Sequence, residues 1–107
     1  MEFSTVKNIW DIIYMNDEDV GLNSEYPKDR PYLIIGYQED SDIYELVPLT
    51  TRRKYEEYSQ INLSTGSNIN LPIEGYFITS RYVIYAEISK EQLSGEDIWK
   101  IENILNN

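Results

Sequence analysis

Apolar residues along this chain occur in short runs separated by polar segments, a pattern typical of β-strands. The run 32–37 is almost continuously apolar, which predicts a central strand. The run 43–49 contains Pro48 near its end, and a proline suits the end of a strand or an edge strand. The predicted strands are 9–15, 32–37, 43–49, 61–63, 69–73, 76–78 and 82–88.

Polar segments of different kinds separate the predicted strands. Residues 16–29 predict a long surface loop, and loops of this length are often functional; the alternative is a disordered acidic connector. Residues 50–60 are highly charged and predict a solvated loop or a short helix. Residues 64–68 read Ser-Thr-Gly-Ser-Asn, a composition typical of a turn.

The end of the chain predicts a helix over about 94–105. Ser94 and Asp97 stand at the spacing of a helix-capping pair, and Glu96 and Asp97 suit the positive end of the helix dipole. Apolar residues then recur three and four positions apart, which predicts one apolar stripe formed by Ile98, Ile101, Ile104 and Leu105. Several short strands followed by one helix predict a small, strongly curved sheet or barrel capped by that helix.

Composition narrows the function without identifying it. The 107 residues make one domain, 1–107, and the absence of cysteine excludes disulfides and thiolate metal sites. Histidine is also absent, which removes the usual general base at neutral pH. No apolar run is long enough to span a bilayer and no signal peptide is visible, so a cytoplasmic protein without membrane contact is expected.

Charge is distributed unevenly. A net charge of −10 argues against a general nucleic-acid coat protein, because such a surface repels phosphate. A compact cationic cluster can still dominate at contact, because salt screens charges over about 8 Å. Five of the nine cations flank the two central predicted strands: Lys28, Arg30, Arg52, Arg53 and Lys54.

Four short blocks follow one another in the order of a known family. They are Ile9-Trp10-Asp11-Ile12-Ile13-Tyr14, Arg30-Pro31-Tyr32-Leu33-Ile34-Ile35, Val47-Pro48-Leu49-Thr50, and 88–93, which reads Ile-Ser-Lys-Glu-Gln-Leu. The first resembles a Gly-Asp-Ile-Val strand with Trp10 in place of the glycine, and the second an Arg-Pro-Val-Leu-Val-Ile signature. In this order the blocks resemble the MazF/PemK family of toxin endoribonucleases from toxin–antitoxin systems.

The resemblance implies a mainly β fold, a small SH3-like β-barrel with a C-terminal α-helix, normally as a homodimer. It implies metal-independent, sequence-selective cleavage of single-stranded RNA by attack of a ribose 2′-hydroxyl on the adjacent phosphate, with no cofactor. Transferred onto this sequence, the catalytic residues are Arg30, Thr50 and Arg81, with Arg81 at the start of a late strand. The flanking RNA phosphates would be held by Lys28, Thr51, Arg52, Arg53 and Lys54. The implied partners are messenger RNA and a cognate antitoxin in the same groove.

Each candidate residue also has a structural interpretation. Arg30 could end a loop and pair with Asp29 or Glu25, and the Thr50 hydroxyl could bond a backbone group at a strand end. The cations 52–54 could form a solvated face balanced by Glu56 and Glu57. Base stacking is a further open role for three tyrosines near the cations, Tyr32, Tyr37 and Tyr55.

Two non-catalytic functions remain as alternatives on the same fold. One is a gyrase-directed poison; the family with that activity ends in Trp-Gly-Ile, whereas this sequence ends in Ile-Leu-Asn-Asn. The other is a binding protein whose acidic surface mimics nucleic acid. The net charge favours the mimic, and so do Val83 and Ala86, which stand where family members carry an aspartate and an arginine.

Overall fold

The computed structural model of the protein describes residues 7–56 and 58–107. The described chain contains seven strands and three helices. In order they are β1 (Ile12–Asn16), α1 (Asp17–Val20), β2 (Asp29–Gln38), β3 (Ile43–Pro48), β4 (Gln60–Asn62), β5 (Asn68–Asn70), β6 (Tyr76–Thr79), α2 (Ser80–Val83), β7 (Glu87–Ile88) and α3 (Gly95–Leu105).

The strands form one large antiparallel sheet and one small hairpin. The large sheet has the order β6-β3-β2-β1-β7, and β4 pairs with β5. A single bridge between Thr50 and Asn68 links the end of β3 to the hairpin. The prediction of a mainly β protein with a C-terminal helix is therefore confirmed. The barrel is not: within the described residues the large sheet stays open, with β6 and β7 at its edges.

Apolar side chains cover both faces of the large sheet. Tyr32 and Ile34 of β2 pack into one cluster with residues of β1, β3, β6 and α2. Leu33, between them, faces the opposite way into a second cluster under the β4–β5 hairpin and α3. Because successive strand residues point to opposite faces, a strand buried on both faces reads as a continuous apolar run. The central position predicted for this run is confirmed.

Helix α3 begins where the sequence predicts. The Ser94 side chain accepts a hydrogen bond from the Asp97 backbone N–H, and the Asp97 carboxylate accepts one from the Ser94 N–H, so both halves of a capping box are present. Ile101 is fully buried. Ile104 and Leu105 are exposed, so the predicted apolar stripe packs against the hairpin only along its first turns. No helix in the described residues is long and apolar enough to cross a membrane.

Three predictions about local structure are wrong. The run 82–88 is not a strand, because helix α2 and a turn precede the two-residue β7. A four-residue helix turns Val83 into the core and leaves Tyr82 and Tyr85 exposed, a result that alternation alone could not indicate. The loop 16–29 is interrupted by α1 and ends where β2 begins. The first strand starts three residues late, because Trp10 has φ = +78°.

Candidate functional site

A cleft of about 330 Å³ lies where the start of β2 meets the end of β3 and the turn of the β4–β5 hairpin. The Leu49 N–H donates to the Pro31 carbonyl at 3.0 Å, which holds the two strand ends together. Thr50 and Asn68 exchange backbone hydrogen bonds at 2.9 and 2.7 Å, which fixes the hairpin over them. The cleft is lined by Lys28, Asp29, Arg30, Pro31, Leu49, Thr50, Thr51, Arg52 and Ser67.

Arg30 is held in this cleft by a buried carboxylate. Its Nε donates to Asp17 Oδ1 at 2.6 Å and its Nη2 to Asp17 Oδ2 at 2.9 Å, a bidentate pair. The Asp17 side chain is 0% exposed and that of Arg30 18%. The predicted structural pairing with Asp29 or Glu25 is therefore wrong. The partner comes from the first turn of α1, in the segment predicted to be a loop.

Asp17 has further partners that keep it ionised. The Tyr32 hydroxyl donates to Oδ1 at 2.7 Å and the Lys28 backbone N–H to Oδ2 at 3.2 Å. Burial raises the pKa of Asp17, but the hydrogen bonds from Arg30, Tyr32 and Lys28 outweigh it, so the pKa lies below its usual value. Burial and the bond to Asp17 raise the pKa of Tyr32. The carboxylate thus acts as a fixed negative anchor under the cleft.

The anchored guanidinium still has donors to offer. The two bonds to Asp17 use Nε and one N–H of Nη2, and Nη1 bonds no residue in the described part of the chain. A guanidinium carries five N–H donors in a planar fork. The exposed fraction of Arg30 is therefore available to an anion in the cleft, and the ion pair fixes the orientation of that fraction.

The Thr50 hydroxyl bonds a backbone group, and Thr50 also lines the cleft. Its oxygen accepts a hydrogen bond from the Arg52 backbone N–H at 3.1 Å, as expected of a hydroxyl at a strand end. Thr50 also lines the cleft beside Arg30. A hydroxyl that accepts one bond can still donate its own proton. The structure therefore brings Lys28, Arg30, Thr50, Thr51 and Arg52 together around one cavity.

The segment after Thr51 is held in a defined path by one side chain. Gln60 Nε2 donates to the Arg52 carbonyl and to Asn70 Oδ1, both at 2.8 Å, and Gln60 Oε1 accepts from the Lys54 N–H at 2.9 Å. Arg53 and Lys54 line a neighbouring cavity that is separate from the cleft. The RNA-binding residues inferred from the resemblance thus divide between two adjoining cavities.

Within the described residues, no acidic side chain forms an ion pair with Lys28, Arg52, Arg53 or Lys54. The ion pairs within residues 7–56 and 58–107 are Arg30–Asp17 and Lys100–Glu96. None joins Glu56 to the three cations 52–54, but Glu56 lines the same cavity as Arg53 and Lys54, so the balanced solvated face stays an open interpretation. Glu57, the other acid invoked for that balance, lies outside the described residues. Six exposed cations of the described residues make no ion pair, and four of them line the cleft or the neighbouring cavity: Lys28, Arg52, Arg53 and Lys54.

Arg81 lies elsewhere in the chain's fold. It belongs to α2 and not to the start of a strand, and its guanidinium stacks on the Tyr82 ring at 5.0 Å. Thr79, just before α2, pairs with Ile43 at the start of β3, whereas Thr50 follows the end of β3. At about 3.3 Å per residue, these two ends of the strand are about 20 Å apart. Within one chain, the structure does not bring Arg81 to the cleft.

The sequence did not indicate Asp17 at all, and it indicated Asp29 only as a structural partner of Arg30. Asp17 stands in an acidic run with Glu18 and Asp19, and no local pattern distinguishes it. Asp29 lines the cleft, and its Oδ1 accepts from Asn16 Nδ2 at 3.0 Å. Its position just before the Arg-Pro pair could have indicated it. The described residues contain no group of three or more acidic side chains arranged to hold a metal ion.

Comparison with known proteins leaves the cleft to be interpreted from its own residues. A scan of the chain against models of protein families finds no match, and a search of the curated proteins finds none either.

Proposed function

We propose that this protein is a MazF/PemK-like toxin that cleaves single-stranded RNA without a metal ion. The observation that carries the proposal is Arg30, anchored on buried Asp17 at the base of a cleft that also holds Thr50. An oriented guanidinium with free donors matches the oxygens of a phosphate, and a preorganised donor stabilises charge that develops in a transition state.

The surrounding charge supports a phosphate ligand. The chain carries a net charge of −10, yet the unpaired cations Lys28 and Arg52 line the cleft and Arg53 and Lys54 the cavity beside it. Unpaired cations along a groove, with an exposed tyrosine such as Tyr55 beside them, are typical of sites for single-stranded nucleic acid. The distribution of charge thus favours a local polyanion site on an otherwise acidic surface.

The backbone supports the alignment on which the resemblance depends. Trp10 occupies the position of the glycine in the family's opening block, and its φ of +78° lies in the left-handed region that favours glycine. This agreement arises from backbone geometry and not from residue identity. The mainly β fold with a C-terminal helix is also compatible with the family.

The proposed reaction is an attack of the ribose 2′-oxygen on phosphorus. The new bond joins the 2′-oxygen to phosphorus and the bond to the 5′-oxygen breaks, which leaves a 2′,3′-cyclic phosphate and a 5′-hydroxyl. Arg30 stabilises the phosphorane charge, and Thr50 orients a phosphate oxygen. Asp29 is the carboxylate lining the cleft, so it is the candidate acceptor of the 2′-hydroxyl proton. Solvent water supplies the proton that the departing 5′-oxygen takes up. The flanking phosphates are held by Lys28, Thr51, Arg52, Arg53 and Lys54.

The partners follow from the same proposal. A cognate antitoxin would cover the cleft and block access of RNA to Arg30. A homodimer is the expected assembly, and the cytoplasm the expected compartment. An acidic toxin surface makes a purely acidic antitoxin segment a poor match outside the cationic cleft.

The test is cleavage of a long single-stranded RNA in EDTA. Wild type should cleave and leave 2′,3′-cyclic phosphate ends, and a 2′-deoxy substitution at the cleaved position should prevent the reaction. Arg30→Lys keeps the charge but loses the fork, so we expect cleavage to fall by about 10²–10³-fold, the usual cost of losing an oriented donor. Lys100→Gln, on α3 and outside the lining of both cationic cavities, is the matched control.

RNA that stays intact with folded wild-type protein, over a wide range of protein concentration, would contradict the nuclease. The alternative that the strongly acidic composition favours is a non-catalytic protein that mimics nucleic acid. That protein would leave RNA intact and would bind a basic nucleic-acid-binding protein in competition with RNA.

A further inference from the structure

A second cavity lies beside the cleft. It has a volume of about 180 Å³, and it shares Pro31, Leu49, Thr51 and Ser67 with the cleft. A water molecule occupies about 30 Å³ in the liquid, so this space can take a flat organic group. Because four residues line both cavities, the two spaces are close enough for one extended ligand to reach both.

The side wall of this cavity presents an aromatic ring. Tyr14 of β1 is 43% exposed although its strand neighbours Ile13 and Met15 are buried. Tyr14 lies on the same face of the sheet as Ile12, the face that the β4–β5 hairpin and α3 cover. The hairpin and the helix do not extend over the Tyr14 ring, which is why the ring is half exposed. A tyrosine left half open at the end of a covered face offers a stacking surface.

Hydroxyl groups surround the ring. The Tyr14 hydroxyl lies 3.5 Å from Ser89 Oγ, which accepts the Glu91 backbone N–H at 3.1 Å and is 8% exposed. On the opposite side, Thr65 Oγ1 and Ser67 Oγ are 2.8 Å apart in the hairpin turn. An aromatic face with a few polar groups around it is the usual composition of a pocket that orients a planar ligand.

We infer that this second cavity binds one nucleobase of a single-stranded RNA whose neighbouring phosphate lies on Arg30. Tyr14 supplies the stacking face, and the Ser89 and Ser67 hydroxyls contact the edge of the base. Single-stranded RNA is read in this way, by stacking on aromatic side chains and by hydrogen bonds to base edges. The inference rests on the proposed RNA function, because the anion in the cleft and the base in the second cavity belong to one nucleotide chain.

The test measures binding, so it does not depend on cleavage. A labelled RNA oligonucleotide with 2′-O-methyl groups cannot be cut, and its affinity is measured by fluorescence anisotropy in EDTA. A set of oligonucleotides carries one abasic site at each position in turn. Tyr14→Ala should bind the intact oligonucleotide about 5- to 150-fold more weakly than wild type, the usual effect of removing one stacking side chain. Tyr14→Phe should bind close to wild type.

The abasic series shows whether Tyr14 acts through one base. With wild type, one abasic position should weaken binding strongly; with Tyr14→Ala, the same position should have little further effect. Tyr85→Ala, an exposed tyrosine outside both cavities, is the matched control and should bind like wild type. Ser89→Ala should reduce the preference for one base over the others at the sensitive position.

The outcomes separate this inference from the proposed nuclease. Wild-type binding that Tyr14→Ala leaves unchanged, or weakens equally for every abasic position, would overturn the base site and leave the nuclease standing. A Tyr14-dependent base effect in a protein that leaves natural RNA intact would support the base site and reject the nuclease. A folded wild type that binds no single-stranded RNA would overturn both.

Discussion

At the scale of single residues, the pair of Asp17 and Arg30 determines what the cleft can do. Burying a carboxylate away from water costs desolvation free energy. For Asp17 this cost is offset by hydrogen bonds from Arg30, Tyr32 and the Lys28 backbone. The same bonds fix the direction of the guanidinium. Asp17 is therefore a positioning residue for the proposed chemistry as well as a structural one.

Removal of the negative charge at this position should destabilise the fold. Asp17→Asn leaves Arg30 partly buried without a counter-ion, and we expect a loss of about 3 kcal/mol, the low end for a broken buried pair, because Arg30 keeps some exposure. The free energy of unfolding in urea measures this. Lys100→Gln breaks the exposed pair with Glu96 and should cost at most about 0.5 kcal/mol. Equal effects of the two variants would contradict a buried anchor.

Acid should destabilise the protein through two buried carboxylates. The folded-state pKa of Asp17 and of Asp97 lies below 3.8, the ordinary pKa of an aspartate, which applies to the unfolded chain. Burial raises both pKa values, but the hydrogen bonds lower them by a larger amount. The main donors are Arg30 for Asp17 and Ser64 for Asp97. Their contribution is therefore complete above the unfolded-state pKa and is lost as pH falls through the folded-state values.

The free energy of unfolding should accordingly stay level near neutrality and fall below about pH 4. Urea unfolding across pH 2–7 measures it, and Asp97→Asn should show a shallower fall than wild type. A wild-type curve with no acid decrease would mean that these carboxylates gain nothing from folding.

At the scale of elements, α3 is attached to the hairpin through its own cap. The Asp97 carboxylate accepts from the Ser64 backbone N–H at 3.0 Å and from the Ser64 hydroxyl at 2.5 Å, in addition to its bond from Ser94. One carboxylate thus closes the capping box and joins the helix to the turn between β4 and β5. This joint is non-local, and the capping pattern in the sequence shows only half of it.

The two halves of the joint should have different costs. Ser94→Ala removes the cap and should cost about 1 kcal/mol, whereas Asp97→Ala also leaves Ser64 unpaired and should cost about 2–3 kcal/mol. Thermal and urea unfolding measure both. Ser41→Ala, an exposed serine in the turn between β2 and β3, is the control and should change stability by less than about 0.5 kcal/mol. An Asp97 effect no larger than the Ser94 effect would count against the joint.

Long elements of this protein are predictable from the apolar pattern of the sequence, whereas the short helix α2 is not. The strand at 32–37 and helix α3 were predicted because a long apolar run and a capped helical period are strong local signals. Helix α2 was predicted as part of a strand because a four-residue helix is too short to show its period. There, burial of Val83 in the core decided the structure.

At the scale of the whole molecule, the cationic cleft interrupts an acidic surface. Proteins that bind single-stranded nucleic acid release counterions in proportion to the phosphates they neutralise, with a slope of about −0.7 per contact in a plot of log affinity against log salt. We therefore expect Arg53→Gln to reduce the slope for single-stranded RNA by about 0.7. Lys100→Gln should not change it. An unchanged slope with Arg53→Gln would place the RNA outside the second cationic cavity.

The position of Arg81 yields a test of assembly. Because it lies about 20 Å along β3 from Thr50, Arg81→Ala should retain RNA cleavage if the cleft of one chain is sufficient. Cleavage by wild type and Arg81→Ala is compared in EDTA, with light scattering to record the oligomeric state. A loss as large as that of Arg30→Lys would mean that a second copy brings its Arg81 to the cleft.

The sequence by itself determined the β-rich class, the central strand, the capped C-terminal helix and the clustering of cations around two strands. These features depend on local periodicity and composition, which are visible in one dimension. Only the tertiary structure decided that Asp17, among 19 acidic residues, anchors Arg30, that Arg81 lies away from Thr50, and that the large sheet is open in the described residues. The physical reason is that a buried carboxylate must find its donors through contacts distant in the sequence, and no local pattern shows which carboxylate will be buried.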